Sequence, residues 1–311
     1  MKGRLQLYRF GTISALILAF VGCAYPQAIE NSAVVNWQNY RDKESKVVFS
    51  MPKMPILITE ADGCLSQTTK IYGSYAKGTA YVVRITKKLS GTWFCQEKKE
   101  FGRESFENRA AELKQGKSGF REDENRKSGP DEINLIAPDK IIRLVFDSRN
   151  DRWFELEAVN ADAGKPVVDK FLASLSTDKK ARGVEIGEGS PVTLGDFTET
   201  ESVAVSPPVN KTAPELKTAN DETMVPLKIV LKSRANYTDA ARTSKVQGRV
   251  QLRVTFAANG GITDVSVISG LAEGLTEQAI AAARKILFIP PSRNGIKYSV
   301  TKPVEYSFTI Y

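Results

Sequence analysis

The chain has 311 residues, 41% of them hydrophobic, with 44 Lys and Arg against 36 Asp and Glu and a formal net charge of +8. It contains no histidine, which excludes Ser-His-Asp and Cys-His nucleophile systems, His-ligated zinc and histidine proton relays. The length predicts two modest domains, and the charge is blocky, with 12 basic against 5 acidic residues over 226–311 and 3 against 8 over 181–225. No RNP-type aromatic signature, zinc-finger spacing or Arg-rich helix accompanies the positive charge, so nucleic acid is not the expected partner.

At the N-terminus, Lys2, Arg4 and Arg9 precede an apolar run from Phe10 to Ala24. A run of about 15 residues is short for a membrane span, which needs about 20, and suits the apolar core of a secretion signal. Residues 1–28 therefore read as a signal peptide, a lipoprotein signal or a membrane anchor. Ala19-Phe20-Val21-Gly22-Cys23 fits a loose bacterial lipobox in which Cys23 is lipidated. Gly22 and Ala24 equally permit ordinary cleavage after Ala24, and an uncleaved anchor is the third reading. All three place the remainder on the periplasmic side of a cell envelope, attached to the inner or outer membrane. Two cysteines remain, Cys64 and Cys95, either paired as a disulfide in an oxidising compartment or present as separate buried thiols. Without histidine they cannot complete a closed zinc site, and no metal or cofactor is expected.

Residues 35–180 read as one α+β domain, an antiparallel sheet with packing helices. "SKVVFSMP" is a short strand stopped at Pro52. "TTKIYGSYAKGTAYVVRITKKL" alternates on both sides of Lys77-Gly78, the mark of a hairpin, with Ala80, Val82 and Arg84 on one face and Tyr81, Val83 and Ile85 on the other. "SFENRAAELKQG" has helical composition and ends at Gly116. "DKIIRLVFDSRNDRWFELEAVN" is a second hairpin turning near Arg149-Asn150-Asp151. "KPVVDKFLASL" aligns Val167, Val168, Phe171, Leu172 and Leu175 on one helical face. Strands followed by a packing helix predict a sheet covered on one face.

Residues 181–225 carry Pro191, Pro207, Pro208 and Pro214 among Glu, Thr and Ser with almost no apolar periodicity, and predict a disordered acidic tether. The unit at 226–311 follows. "NYTDAARTSKVQG" is a short helix. The next strand alternates Val250, Leu252, Val254 and Phe256 inward with Arg249, Gln251, Arg253 and Thr255 outward. Ala258-Asn259-Gly260-Gly261 supplies positive-φ turn residues, and a second strand runs from Ile262 to Ile268. Thr276 is the expected cap of a helix whose stripe is Leu275, Ala279, Ala283, Ile286 and Leu287. "FIPP" stops that helix, and Asn294-Gly295 turns the chain into "KYSVTKPVEYSFTIY", a last strand expected to outrun its neighbours.

Together, "VQGRVQLRVTFAANGGITDVSVISG", "LTEQAIAAARKILFIPP" and "NGIKYSVTKPVEYSFTI" resemble the C-terminal domain of the TonB energy-transducer family in order and spacing. The resemblance implies a three-stranded antiparallel sheet with two helices on one face. It also implies that the last strand, here Val304, Glu305, Tyr306, Ser307, Phe308, Thr309 and Ile310, offers its edge to an extended peptide of a TonB-dependent outer-membrane transporter. ExbB/ExbD-like inner-membrane proteins are the further partners the family implies. Three departures stand beside it. Tyr237-Thr238 replaces the family's common Tyr-Pro, and the linker is shorter and acidic. Where the family's anchor has Ser-x-x-x-His, Ser14 is followed four residues on by Leu18, which argues against energy coupling through this anchor. The domain at 35–180 is at most loosely similar to PsbP-like α+β domains.

No enzyme is expected. Ser176-Thr177-Asp178-Lys179 has acyl-enzyme spacing, but it follows an amphipathic helix among Lys179, Lys180 and Arg182 and reads as a solvated helix end. Gly187-Glu188-Gly189 lacks the third glycine of a dinucleotide loop. Two functions are carried forward. One is a docking protein for transporter peptides that supports transmembrane transport. The other is an envelope lipoprotein whose TonB-like domain binds wall or partner protein without energy coupling.

Overall fold

The computed structural model describes residues 35–61, 67–88, 102–117, 119–161, 165–188 and 223–310. Cys23, Ser14, Leu18, Cys64 and Cys95, and most of the expected tether, lie outside the described residues. Among the described residues no helix is long and apolar enough to cross a membrane.

The first domain runs β1 (Gln38–Asp42), β2 (Val48–Met51), β3 (Ile56–Ala61), β4 (Gln67–Ala76), β5 (Thr79–Lys88), α1 (Gly102–Gln115), β6 (Arg121–Glu122), β7 (Glu132–Ala137), β8 (Lys140–Asp147), β9 (Arg152–Val159), α2 (Pro166–Leu172) and β10 (Val184–Ile186). Seven strands form one sheet in the order β3-β4-β5-β9-β8-β7-β6. Both expected hairpins are present, with positive φ at Lys77 and Gly78 in the first turn and at Asp151 in the second.

The sheet is covered on both faces, not on one. Strand β5 shows why: Tyr81, Val83 and Ile85 enter one buried cluster, while Ala80 and Val82 enter another on the opposite face. The first face carries the main core, closed by β1, β2, Ile186 of β10 and α2 through Tyr40, Phe49, Met51, Val168, Phe171 and Leu172. Residues 184–186, expected to begin the tether, instead pair in parallel with β1 at Tyr40, Arg41 and Asp42. On the opposite face α1 covers the β8 end through Phe106, Ala110 and Leu113 against Leu135, Ile142, Leu144 and Phe146. A charged seam follows. Arg84 bonds Glu155 at 2.5 Å and Glu157 at 2.7 Å, Arg109 of α1 reaches Glu155 at 2.9 Å, and Lys140 reaches Glu157 at 3.0 Å. Each buried carboxylate thus has two cationic partners, which is the condition for tolerating charge away from water.

Beyond the seam this face is covered by the second domain: β11 (Met224–Val225), β12 (Lys228–Leu231), α3 (Asp239–Thr243), β13 (Gly248–Phe256), β14 (Ile262–Ser269), α4 (Leu275–Ala283), β15 (Leu287–Ile289), β16 (Ser292–Arg293), β17 (Ile296–Lys297) and β18 (Val300–Phe308). It is the expected three-stranded antiparallel sheet with two helices, in the order β14-β13-β18. Its core is Val250, Leu252, Val254 and Phe256 of β13 against Leu275, Ala279, Ala282 and Ala283 of α4 and Val304, Tyr306 and Phe308 of β18. The described residues are mixed α+β, and those from Val35 onward belong to one compact unit.

Two helix expectations are corrected. Helix α4 ends at Ala283, and its N-cap is Gly274 in the left-handed region at φ 77°. Thr276 instead accepts from the Leu271 amide and donates to the Leu271 carbonyl, both at 2.8 Å, fastening the approach to the helix. Leu287 belongs to no helical stripe. It opens β15, which alternates between two cores: Phe288 enters the second domain's own cluster, while Leu287 and Ile289 enter the cluster shared with the first domain's sheet. Packing both parities of a short strand satisfies more apolar area than one more helical turn, and Pro290-Pro291 cannot continue a helix.

The contact between domains is therefore apolar. Leu231, Leu287 and Ile289 lie on Ile58, Ile71, Ala80, Val82 and Val159. At its centre is Gly73 of β4, where a Cβ atom would stand 3.0 Å from Leu287 Cδ2 and 3.1 Å from Leu231 Cδ1. Glycine there lets the two leucines approach the sheet. The β13–β14 turn also leans on this domain, since a Cβ at Gly260 would run into the ring of Tyr75. Lys228 pairs with Asp139 at the rim.

Candidate docking edge

The β14-β13-β18 sheet has two edges, and they differ. Strand β18 pairs with β13 residue for residue from Gly248↔Phe308 to Phe256↔Val300, with no irregularity. Its span equals that of β13, so the last strand does not outrun its neighbour. Strand β14 pairs with register shifts near both ends and leaves Val267 and Ile268 about half exposed, at 48% and 50%. Irregular pairing blunts an edge, whereas a regular one is a template for an added strand.

Side chains alternate along β18. Val304, Tyr306 and Phe308 are buried among α3, α4 and β13, while Thr301, Pro303 and Ser307 are exposed and Glu305 half-exposed on the opposite face. The main-chain groups alternate too. Pro303, which has no N–H, sits opposite Arg253, and proline is tolerated in a strand where the amide would face away from the ladder. The same parity directs the N–H and C=O of Thr301, Glu305 and Ser307 outward. An independent contact agrees: the Glu305 carbonyl accepts from Lys232 Nζ at 2.8 Å and not from β13.

Of the residues singled out from sequence, Val304 to Phe308 therefore share the edge strand, but the buried side chains of Val304, Tyr306 and Phe308 are anchors; the groups that face outward at the edge are Glu305 and Ser307. Thr309 and Ile310 lie past the ladder, and the Ile310 amide donates to Gln247 Oε1 at 3.3 Å. Burial pushes the Tyr306 phenol well above its ordinary range, so it is a neutral packing group, not an acid. The Glu305 carboxylate is turned across the open face of the sheet, 3.5 Å from Arg249 and 3.3 Å from Gln251 Nε2. Lys232 and Lys302 are exposed at this edge. Lys232 could not have been found from sequence, because its partner is 73 residues away.

Other candidates carry no such arrangement. Ser176 is tied to Val48 by a main-chain bridge, its amide donating to the Val48 carbonyl at 2.8 Å. Among the described residues no group of three or more His, Cys, Asp or Glu is placed to hold a metal ion.

Residues 233–310 match the family model described as Gram-negative bacterial TonB protein C-terminal. The match begins just after β12 and ends just past β18, taking in both helices and the whole three-stranded sheet. This segment is similar to the C-terminal domain of TonB, a family of the Gram-negative cell envelope. No curated protein matches the chain.

Proposed function

We propose that the protein is an envelope docking protein whose C-terminal domain binds an extended peptide of a TonB-dependent outer-membrane transporter by adding it as a fourth strand beside β18. The observation that supports this reading is the regular pairing of β18 with β13, which turns the main-chain groups of Thr301, Glu305 and Ser307 outward in a domain similar to this family's. Main-chain hydrogen bonds supply affinity in such a mode, and alternate side chains select the register. Membrane attachment through residues 1–28, lipidation at Cys23 and a Cys64–Cys95 disulfide belong to the same proposal for an exported protein.

The edge reading is tested with proline at outward-facing amides. Ser307→Pro removes an outward N–H while leaving the β13 ladder intact, so it should abolish peptide binding in a protein whose circular dichroism is unchanged. Ser307→Ala should bind within about twofold of wild type, because the ladder does not use the hydroxyl. Folded Ser307→Pro that binds transporter N-terminal peptides as well as wild type would dismiss strand addition.

A second reading is favoured by the apolar contact of Leu231, Leu287 and Ile289 with the first domain. A C-terminal domain seated on its neighbour suits a protein that holds an envelope partner in place without energy coupling. ExbB/ExbD-dependent cross-linking distinguishes the two, being required for the first and dispensable for the second.

A further inference from the structure

Lys232 occupies an unusual position for a surface lysine. Its neighbours Leu231 and Ser233 are both buried, so its backbone is pinned, yet its own side chain is exposed. The ammonium lies 4.8 Å from the centre of the Tyr306 ring and donates to the Glu305 carbonyl at 2.8 Å. It takes part in no ion pair among the described residues. The Glu305 carboxylate, the nearest candidate in sequence, is turned across the sheet toward Arg249 and Gln251. Lys232 therefore bonds a main-chain acceptor that β13 leaves free, on the one regular edge of the sheet.

That acceptor is the group an added strand would use. A peptide laid along β18 must place an N–H on the Glu305 carbonyl, in the position the ammonium now fills. Displacing the ammonium returns it to water, where it is well solvated, so the exchange replaces one hydrogen bond by another at small cost. A strand that offers no N–H there, or a second copy whose register leaves the lysine in place, meets a charge in the plane of the sheet. Cationic side chains at an edge are a known protection against unwanted pairing.

We propose that Lys232 is a displaceable cap on the β18 edge. It holds the Glu305 carbonyl in the free protein and swings into solvent when an extended peptide brings its own amide to that position. Lys232 is thus a specificity-determining residue that rejects strands with proline opposite Glu305 and limits edge-to-edge association of two copies. The inference rests on the reading of β18 as a docking edge.

The test uses the full chain and a displayed library of random nine-residue peptides, from which binders are selected and then made synthetically. Each binder is titrated against wild type, Lys232→Met and Ser307→Pro, all confirmed folded by circular dichroism. Methionine keeps the apolar stem over Tyr306 and removes the charge and the hydrogen bond. Binders should lose affinity at least tenfold for Ser307→Pro and gain about three- to tenfold for Lys232→Met, the range of one modest hydrogen bond. Sedimentation should show Lys232→Met self-associating at lower concentration than wild type. Binders that depend on position 307 but bind Lys232→Met no more tightly than wild type overturn the cap and leave the edge reading intact. A library yielding no binder sensitive to Ser307→Pro overturns the edge reading, and the cap with it.

Discussion

Gly73→Val, alone and combined with Leu287→Ala, measures how firmly the two domains are joined. The Gly73 site is already full: its missing Cβ would stand 3.0 Å from Leu287 Cδ2, 3.1 Å from Leu231 Cδ1 and 3.4 Å from Ile56 Cγ1. Valine adds three carbons at this point, and overpacking of this kind costs about 1–3 kcal/mol while the neighbours can still yield. Where they cannot, Leu231 and Leu287 lift from the sheet, forfeiting about 1.5–3 kcal/mol each. Leu287→Ala removes three carbons from the other side of the same contact and should cost about 2–5 kcal/mol by itself. The double variant restores the volume, so its loss should fall short of the sum by about 1–3 kcal/mol. Valine is a strong strand former, so β4 itself should not suffer. Denaturant titration of all four proteins supplies the cycle, and for Gly73→Val alone a loss of 3 kcal/mol should lower Tm by about 6–12 °C. Strict additivity, or a Gly73→Val protein as stable as wild type, would refute the packing of the second domain on this sheet.

Two further predictions concern charge. Arg84→Met should destabilise by about 3–5 kcal/mol in chemical denaturation, because Glu155 and Glu157 would each lose a cationic partner while buried. At Asp42, burial pushes the carboxyl up, but hydrogen bonds from Tyr72 and Ser45 and the Lys70 charge outweigh it and hold it below the usual carboxylate range. A depressed folded value contributes stability that is present above the unfolded aspartate value and is lost as pH falls through the folded one. Asp42→Asn should therefore flatten the acid limb of the stability curve below about pH 4, and an unchanged acid limb would count against the assignment.

Sequence pattern located the hairpins and the C-terminal sheet because both depend on local signals, turn residues with positive φ and alternation of apolar side chains. It failed where one strand serves two cores. The run "AYVVRI" is apolar on both parities, which already argues against a sheet covered on one face, but no pattern states what covers the second face. Leu287 fits helical spacing with Ala283 equally well, and only the first domain's sheet, more than 120 residues earlier in the chain, draws it away from its own domain's core. Strand β10 was hidden for a similar reason: "VEI" is three residues in an acidic stretch, and its parallel partner β1 lies more than 140 residues upstream. The edge strand was legible as a strand. Its outward amides were legible only through Pro303, and Lys232 was not legible at all.

The seating of the second domain bears directly on how far the proposed docking edge can travel. Glu188 and Thr223 flank the long stretch outside the described residues, and both belong to the unit that begins at Val35. The 34 intervening residues can span at most about 120 Å when fully extended. That reach is available to β18 only if Leu231, Leu287 and Ile289 leave the β3-β4-β5 face. Three such side chains represent about 5–9 kcal/mol of apolar burial, enough to keep the seated form dominant. A peptide that only occupies the β18 edge makes no contact with the Gly73 cluster. Because Leu231 also pins the neighbouring Lys232, peptide affinity in Gly73→Val should rise by no more than the roughly three- to tenfold expected for loss of that cap, whereas the distance from the first domain at which a bound peptide is held should grow only in the variant.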